Sequence, residues 1–226
     1  MNGLAIDSAI TKITISAKND FHTVTAVFNI GMKQSETLLP AIQYVLEKAD
    51  LTPEKLDYLS ISNGPGSFTG LRLGFSAIKA IEMVSNAKLY GIPTLDAYAE
   101  SYMDFPFTVL SCIDAKKDRF YAKAFFNAKE IIPAGDYTPE EIANLLKNSN
   151  ATETVLICGS DAHLLAEELK PFSEKKFLPQ DFNMNVGEIL LSMTEKKISA
   201  NERPLNDYDG PFYLRASEAE VKKQET

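Results

Sequence analysis

Tryptophan is absent from the 226 residues, and cysteine and histidine occur only twice each. His22 and His163 stand far apart with no paired ligand spacing, so a zinc site of the Cys/His kind is poorly supported. Neither is near a strand-end nucleophile in the expected order, which disfavours a Ser-His-Asp or Cys-His set. Cys112 and Cys158 fall inside apolar strand-like runs at 109–113 and 155–158, where free cysteine behaves as a small hydrophobe, and a reducing, cytosolic protein is expected. No charged-then-apolar leader pattern and no apolar run near the length of a membrane span are present, so neither export nor anchoring is expected. Basic charge is scarce as well. The 23 Lys and Arg against 31 Asp and Glu give a net charge of -8, which argues against a free-standing nucleic-acid binder.

What the sequence does hold is the stretch Gly64-Pro65-Gly66-Ser67-Phe68-Thr69-Gly70-Leu71-Arg72-Leu73-Gly74. It follows a strand-like run at 58–62 and opens a helical pattern from about Thr69 to Ser85. The glycines therefore fall at a strand-to-helix turn, where positive φ and close backbone approach are needed. Such turns often meet phosphate at a helix N-terminus. The spacing G-x-G-x-x-x-G is one residue longer than the dinucleotide fingerprint and lacks the Gly-Lys-Ser/Thr ending of a P-loop, so no nucleotide motif is met. A tight turn capped by Ser67 or Thr69 is the plainer reading. In the helix, Leu71, Phe75 and Ile78 make one face and Gly70, Gly74, Ala77 and Ile81 a second, with only Arg72, Lys79 and Glu82 charged. Contact on both sides is expected, either with a second helix of the same or another chain or within the helix's own domain.

Leu4 to Asp7 reads as a short strand ending in Asp, followed by alternating runs at 12–17 and 23–28. Ser35 is the candidate N-cap of a helix from Glu36 to about Asp50, with a bend expected at Pro40. With strands at 58–62 and 88–92, the glycine helix and a helix at 95–103, the order is β-β-β-α-β-α-β-α. Asp104-Phe105-Pro106 makes a joint. Beyond it, 109–115 repeats the opening pattern of an apolar strand ending in Ile-Asp. Strands at 119–126 and 130–132 follow, then a helix announced by Thr138-Pro139-Glu140-Glu141, a strand at 154–158, and helices at 160–169 and 186–199. Two halves that begin alike suggest duplication. The expected fold is α/β of the ASKHA class (actin, sugar kinase, Hsp70), two ribonuclease-H-like lobes. The N-terminal lobe is placed at 1–104 and the C-terminal lobe at 105–226, with the segment from about 204 packing back on the first lobe and a loose tail from Ser217.

Asp7 and Asp114 each end a first strand, where kinases and ATPases of this class place carboxylates that handle metal and phosphate. Each is followed by Ser-Ala or Ala-Lys rather than a glycine-rich phosphate loop, which favours turn capping over catalysis. An ATP-dependent small-molecule kinase therefore lacks its phosphate loops, and a metal-dependent peptidase lacks its ligands.

Together, Leu4-Ala5-Ile6-Asp7-Ser8-Ala9, Ser35-Glu36-Thr37-Leu38-Leu39-Pro40, the glycine stretch, Ile113 through Tyr121 and Pro211-Phe212-Tyr213-Leu214-Arg215 resemble the bacterial TsaB (YeaZ) family over nearly the whole chain. The resemblance implies a non-catalytic subunit that binds and activates TsaD. With the ATPase TsaE, TsaD makes N6-threonylcarbamoyladenosine (t6A) at position 37 of tRNAs reading codons that begin with A. It implies docking on TsaD through the helices opening at Ser35 and Gly70, which puts Ser35, Glu36, Leu39, Ile42, Thr69, Gly70, Arg72, Leu73, Gly74 and Lys79 at the interface, Arg72 and Lys79 near its rim. It also implies a cytoplasmic protein with no cofactor or metal of its own, ATP being used by the assembled complex. A homodimer is expected when TsaD is missing, with tRNA met through the complex and no membrane partner. Two departures favour the partner role: Gln34 stands where members often have His, and the metal-binding histidine pair of TsaD has no counterpart. Gly74→Arg is expected to leave the chain folded and to block docking.

Overall fold

Ten strands and six α-helices follow one another in the computed structural model, which describes residues 1–31, 33–182 and 185–215. The first run is β1 Gly3–Asp7, β2 Lys12–Lys18, β3 Thr23–Asn29, α1 Gln34–Lys48, β4 Tyr58–Ser62, α2 Phe68–Val84, β5 Lys88–Ile92 and α3 Thr94–Ala99. The second is β6 Thr108–Asp114, β7 Phe120–Phe126, β8 Lys129–Tyr137, α4 Pro139–Asn148, β9 Thr154–Gly159, α5 Ala162–Leu169, β10 Lys176–Pro179 and α6 Val186–Ser199. They form two five-stranded sheets, ordered β3-β2-β1-β4-β5 and β8-β7-β6-β9-β10. In each, three consecutive strands pair antiparallel, and the first of them also pairs parallel with a strand reached by a crossover. The repeated Ile-Asp strand of the sequence thus occupies the same central place in both sheets.

Of the described residues, one compact unit holds 1–97 and 185–212 and the other 98–182 and 213–215. The chain leaves the first unit ahead of the expected joint at 104, and it returns there with α6, a helix that had been grouped with the second half.

Alternation along the strands explains why α6 belongs to the first unit. Leu4, Ile6, Ile13, Ile15, Leu59 and Ile61 are buried with Leu38, Val45 and Leu46 of α1 and Phe75 and Ile78 of α2. The opposite register positions, Thr14, Ser16, Tyr58 and Ser60, meet α6. Short side chains let that helix in closely: a Cβ on Gly187 would lie 2.1 Å from Ser16 Oγ. Ser60 Oγ donates to the Leu190 carbonyl at 3.1 Å, and Thr194 Oγ1 donates to Ser60 Oγ at 2.7 Å. At the end of α6, Glu195 accepts from Lys18 Nζ at 2.7 Å and from the Tyr58 hydroxyl at 2.8 Å. Burial pushes the Glu195 carboxyl up, but the bonds from Lys18 and Tyr58 outweigh it and hold the group below its ordinary value. Beyond α6, Leu205 N donates to the Leu89 carbonyl at 2.8 Å and Phe212 N to that of Asn63 at 2.6 Å, so this run lies along β5 and the turn after β4.

In the second unit, Leu110, Cys112, Phe120, Ala122, Val155 and Ile157 pack on Ile142 and Leu146 of α4 and Leu165 and Leu169 of α5. Val109, Phe125, Leu156 and Cys158 face the other way, toward Ala99, Tyr102 and Met103. The two cysteines therefore sit on opposite faces of one sheet, and both are free thiols. Thr138 forms the expected capping box, accepting from Glu141 N at 3.2 Å while its own N–H donates to Glu141 Oε2 at 2.7 Å. Strand β8 is longer than the expected 130–132, and β10 is a further strand. The tail from Ser217 lies outside the described residues. Among those described, no helix is long and apolar enough to cross a membrane.

Candidate docking site

The turn between β4 and α2 is built against the turn between β1 and β2. Ser67 caps α2, its hydroxyl accepting from Gly70 N at 3.3 Å. Gly64 N donates to Thr94 Oγ1 at 3.1 Å, and Thr94 N donates back to the Gly64 carbonyl at 2.9 Å. Ser67 N donates to the Ala9 carbonyl at 2.6 Å, and Ser8 Oγ donates to the Gly70 carbonyl at 2.8 Å. The amides of Gly64, Ser67 and Gly70 are thus engaged within the chain.

The glycines mark where the two turns touch. A Cβ on Gly66 would lie 2.4 Å from the Ala9 carbonyl oxygen, one on Gly70 2.1 Å from that of Ser8, and one on Gly74 2.2 Å from Ser8 Oγ. Of the alternatives left open for the Gly70 and Gly74 face, the structure has contact within the helix's own domain, because their close neighbour is the chain's own β1–β2 turn. Ala77 and Ile81 are buried as well, so α2 is flanked on both apolar faces by its own unit. The same contacts weigh against the expectation that Gly74→Arg leaves a folded chain, because a long side chain at position 74 would run into Ser8 and Ile61. Ile42 is 4% exposed and belongs to the core of the unit.

The remaining expected positions look outward in varying degree. Ser35, Glu36 and Leu39 of α1 and Thr69 and Arg72 of α2 are exposed, whereas Leu73 and Lys79 are half-buried. Leu73 packs against the core, and Lys79 Nζ donates to the Asn206 carbonyl at 3.0 Å and pairs with Glu82 at 3.1 Å. Arg72 stacks its guanidinium over the Phe68 ring, 3.7 Å from the centroid. Ser35 is not the cap of α1. That helix starts at Gln34 behind Lys33, which makes no side-chain cap bond. Three further apolar side chains join the outward set: Tyr44 of α1, and Met83 and Val84 at the end of α2. Leu39 is 60% exposed and Met83 86%. The signal was available for Met83, which falls off both buried stripes of α2, whereas Val84 continues the Gly70 to Ile81 stripe and ends the helix.

Asp7 Oδ1 accepts from Ala9 N at 3.0 Å, and Asp114 Oδ1 accepts from Lys116 N at 2.7 Å, the same turn cap at the end of the first strand of each sheet. Burial pushes the Cys158 thiol up to about 12 and raises Cys112 well above its ordinary value, the reverse of what a nucleophilic thiolate needs. His22 contacts the Lys48 carbonyl and His163 contacts Asp181, both in exposed positions. Among the described residues, no group of three or more His, Cys, Asp or Glu could hold a metal ion.

Paired sheets of this order define an α/β protein of the ASKHA, or actin-like ATPase, class. A Bacteroides thetaiotaomicron protein with an actin-like ATPase fold superposes with a TM-score of 0.50 at 12% identity, over 84% of this chain and 95% of that one. YeaZ from Pseudomonas aeruginosa superposes with a TM-score of 0.75 at 17% identity, over 94% of this chain and 99% of its own. In sequence, the Bacillus subtilis tRNA threonylcarbamoyladenosine biosynthesis protein TsaB is 24% identical over 231 residues, covering 98% of this chain and 97% of that protein. The family model described as TsaD, tRNA N6-adenosine threonylcarbamoyltransferase, matches residues 31–178, more than half of the chain. The chain belongs to that family and, within it, to the TsaB (YeaZ) group.

Proposed function

We propose that this chain is a subunit of the t6A biosynthesis machinery that docks on TsaD and holds it in a competent conformation, without itself performing chemistry. The observation that carries the reading is the similarity to a TsaB biosynthesis protein over 98% of this chain and 97% of that protein. The geometry supports it. The outward sides of α1 and α2 carry large apolar groups, Leu39, Tyr44 and Met83, and the charges of Glu36 and Arg72, a composition suited to a protein partner. The engaged amides of the glycine turn and the turn-capping aspartates speak against the small-molecule kinase alternative.

In this reading the chain works in the cytoplasm and binds no cofactor alone. ATP is consumed by the assembly with TsaE, and tRNA is met through the complex, in keeping with a net charge of -8. Without TsaD, the α1 and α2 surface pairs with a second copy. Reconstitution tests the proposal: TsaD, TsaE, ATP and the threonylcarbamoyl donor should form t6A on tRNA when this chain is added and not when it is omitted. Undiminished t6A formation without the chain contradicts it.

A further inference from the structure

Gln34 is a buried polar side chain at a place where the helix it begins has no conventional cap. It is 8% exposed, and its Nε2 donates to the Ile10 carbonyl at 2.8 Å and to the Thr11 carbonyl at 3.2 Å. Its Oε1 lies 3.3 Å from where a Cβ on Gly70 would stand. The start of α1 is therefore fixed by a side chain reaching back to the β1–β2 turn. The same turn holds the start of α2, through Ser8 Oγ to the Gly70 carbonyl and Ser67 N to the Ala9 carbonyl. Four consecutive residues, 8–11, thus tie down the first turns of both helices whose outer sides form the candidate docking site.

We infer that Gln34 is a positioning residue for partner binding: through the turn at 8–11, it sets the placement of α1 relative to α2. This rests on the proposed docking on TsaD. The amide suits the task because it offers two N–H donors to two carbonyls without carrying charge into a buried site. A carboxylate of the same shape would set an anion against two carbonyl oxygens, pushing the start of α1 off the turn. A protonated carboxyl group would regain one donor.

The test compares the wild-type chain with Gln34→Glu and Gln34→Leu, titrating each into TsaD by calorimetry across pH 8 to 5.5, well below the melting temperature of each variant. Leu146→Ala in α4 serves as a control that lowers stability away from the turn. Wild type should bind with little pH dependence, and Leu146→Ala should bind as wild type does. Gln34→Leu should bind about tenfold more weakly at every pH, and Gln34→Glu at least as weakly at pH 8 with recovery as the pH falls. Asp7 and Lys12 near the turn, Lys33 and Glu36 on α1 and Arg72 on α2 are common to all the proteins, so the wild-type profile accounts for their titration. Equal binding by wild type and both Gln34 variants overturns the inference while leaving docking intact. Weakening by Leu146→Ala to the same extent reduces Gln34 to a stability role and overturns it too. Failure of the wild-type chain to bind overturns both the inference and the function on which it rests.

Discussion

The Ser8 hydroxyl donates to the Gly70 carbonyl at 2.8 Å and occupies the space that a side chain on Gly74 would enter, 2.2 Å from a Cβ placed there. Two glycines one helical turn apart thus serve a single serine. Alanine at 74 would gain about 1 kcal/mol in helix propensity. It would also force the Ser8 hydroxyl off its acceptor and press on the Ser8 and Ile61 side chains, costing about 3 kcal/mol. Gly74→Ala should therefore lose about 2 kcal/mol in urea unfolding, and Gly74→Arg should fail to fold the first unit. Unchanged stability of the alanine variant would show that the turn can yield.

The outward residues should behave in the opposite way. Leu39 and Met83 are mostly exposed, so Leu39→Glu and Met83→Glu should each change stability by less than about 0.5 kcal/mol. Binding to TsaD should nevertheless weaken by about tenfold or more, because each places a charge in a desolvated contact. Calorimetric titration separates these effects, and wild-type affinity in both variants would move the docking surface elsewhere.

The contact of α6 with the first sheet predicts a pH dependence. Glu195 is held below its ordinary pKa of 4.5 despite burial, through Lys18 and Tyr58. The sign follows from linkage: a carboxyl group depressed in the folded state contributes stability that is present above its unfolded pKa and lost as pH falls through the folded one. The stability gap between wild type and Glu195→Gln should therefore be largest near neutrality and should shrink below about pH 4.5. A gap of constant size from pH 7 to pH 3 would contradict the assignment.

In the second unit, Thr138→Ala removes the side-chain acceptor of the capping box and should cost about 1 kcal/mol, read as a lower thermal midpoint. Thr138→Ser should restore most of it. Equal midpoints for all three proteins would mean that α4 is held by packing alone.

How far the sequence discloses this structure varies with the kind of signal. The strand alternation at 12–17, the Ile-Asp repeat and the Thr138 capping pattern are local, and each appears where expected. The start of α1 was displaced because Gln34 is held by carbonyls more than twenty residues away, a bond that no local pattern encodes. Strand β10 is four residues long and ends at Pro179, too short for period-two alternation to register. The neighbour of the Gly70 and Gly74 face is what the sequence left open. Periodicity shows which residues share a face, but a small face fits the chain's own turn as well as a partner's helix, and only the position of Ser8 decides between them. The place of α6 was hidden for a related reason, since the sheet face it covers carries small polar side chains, Thr14, Ser16 and Ser60, beside Tyr58.

The measurement that bears most directly on the account is light scattering coupled to size exclusion, on this chain alone, on TsaD alone and on their mixture, repeated with Leu39→Glu combined with Met83→Glu. The account predicts a one-to-one heterodimer for wild type that the double variant fails to form while remaining folded. Separate elution of the wild-type chain and TsaD, or an unaltered heterodimer with the double variant, would contradict it.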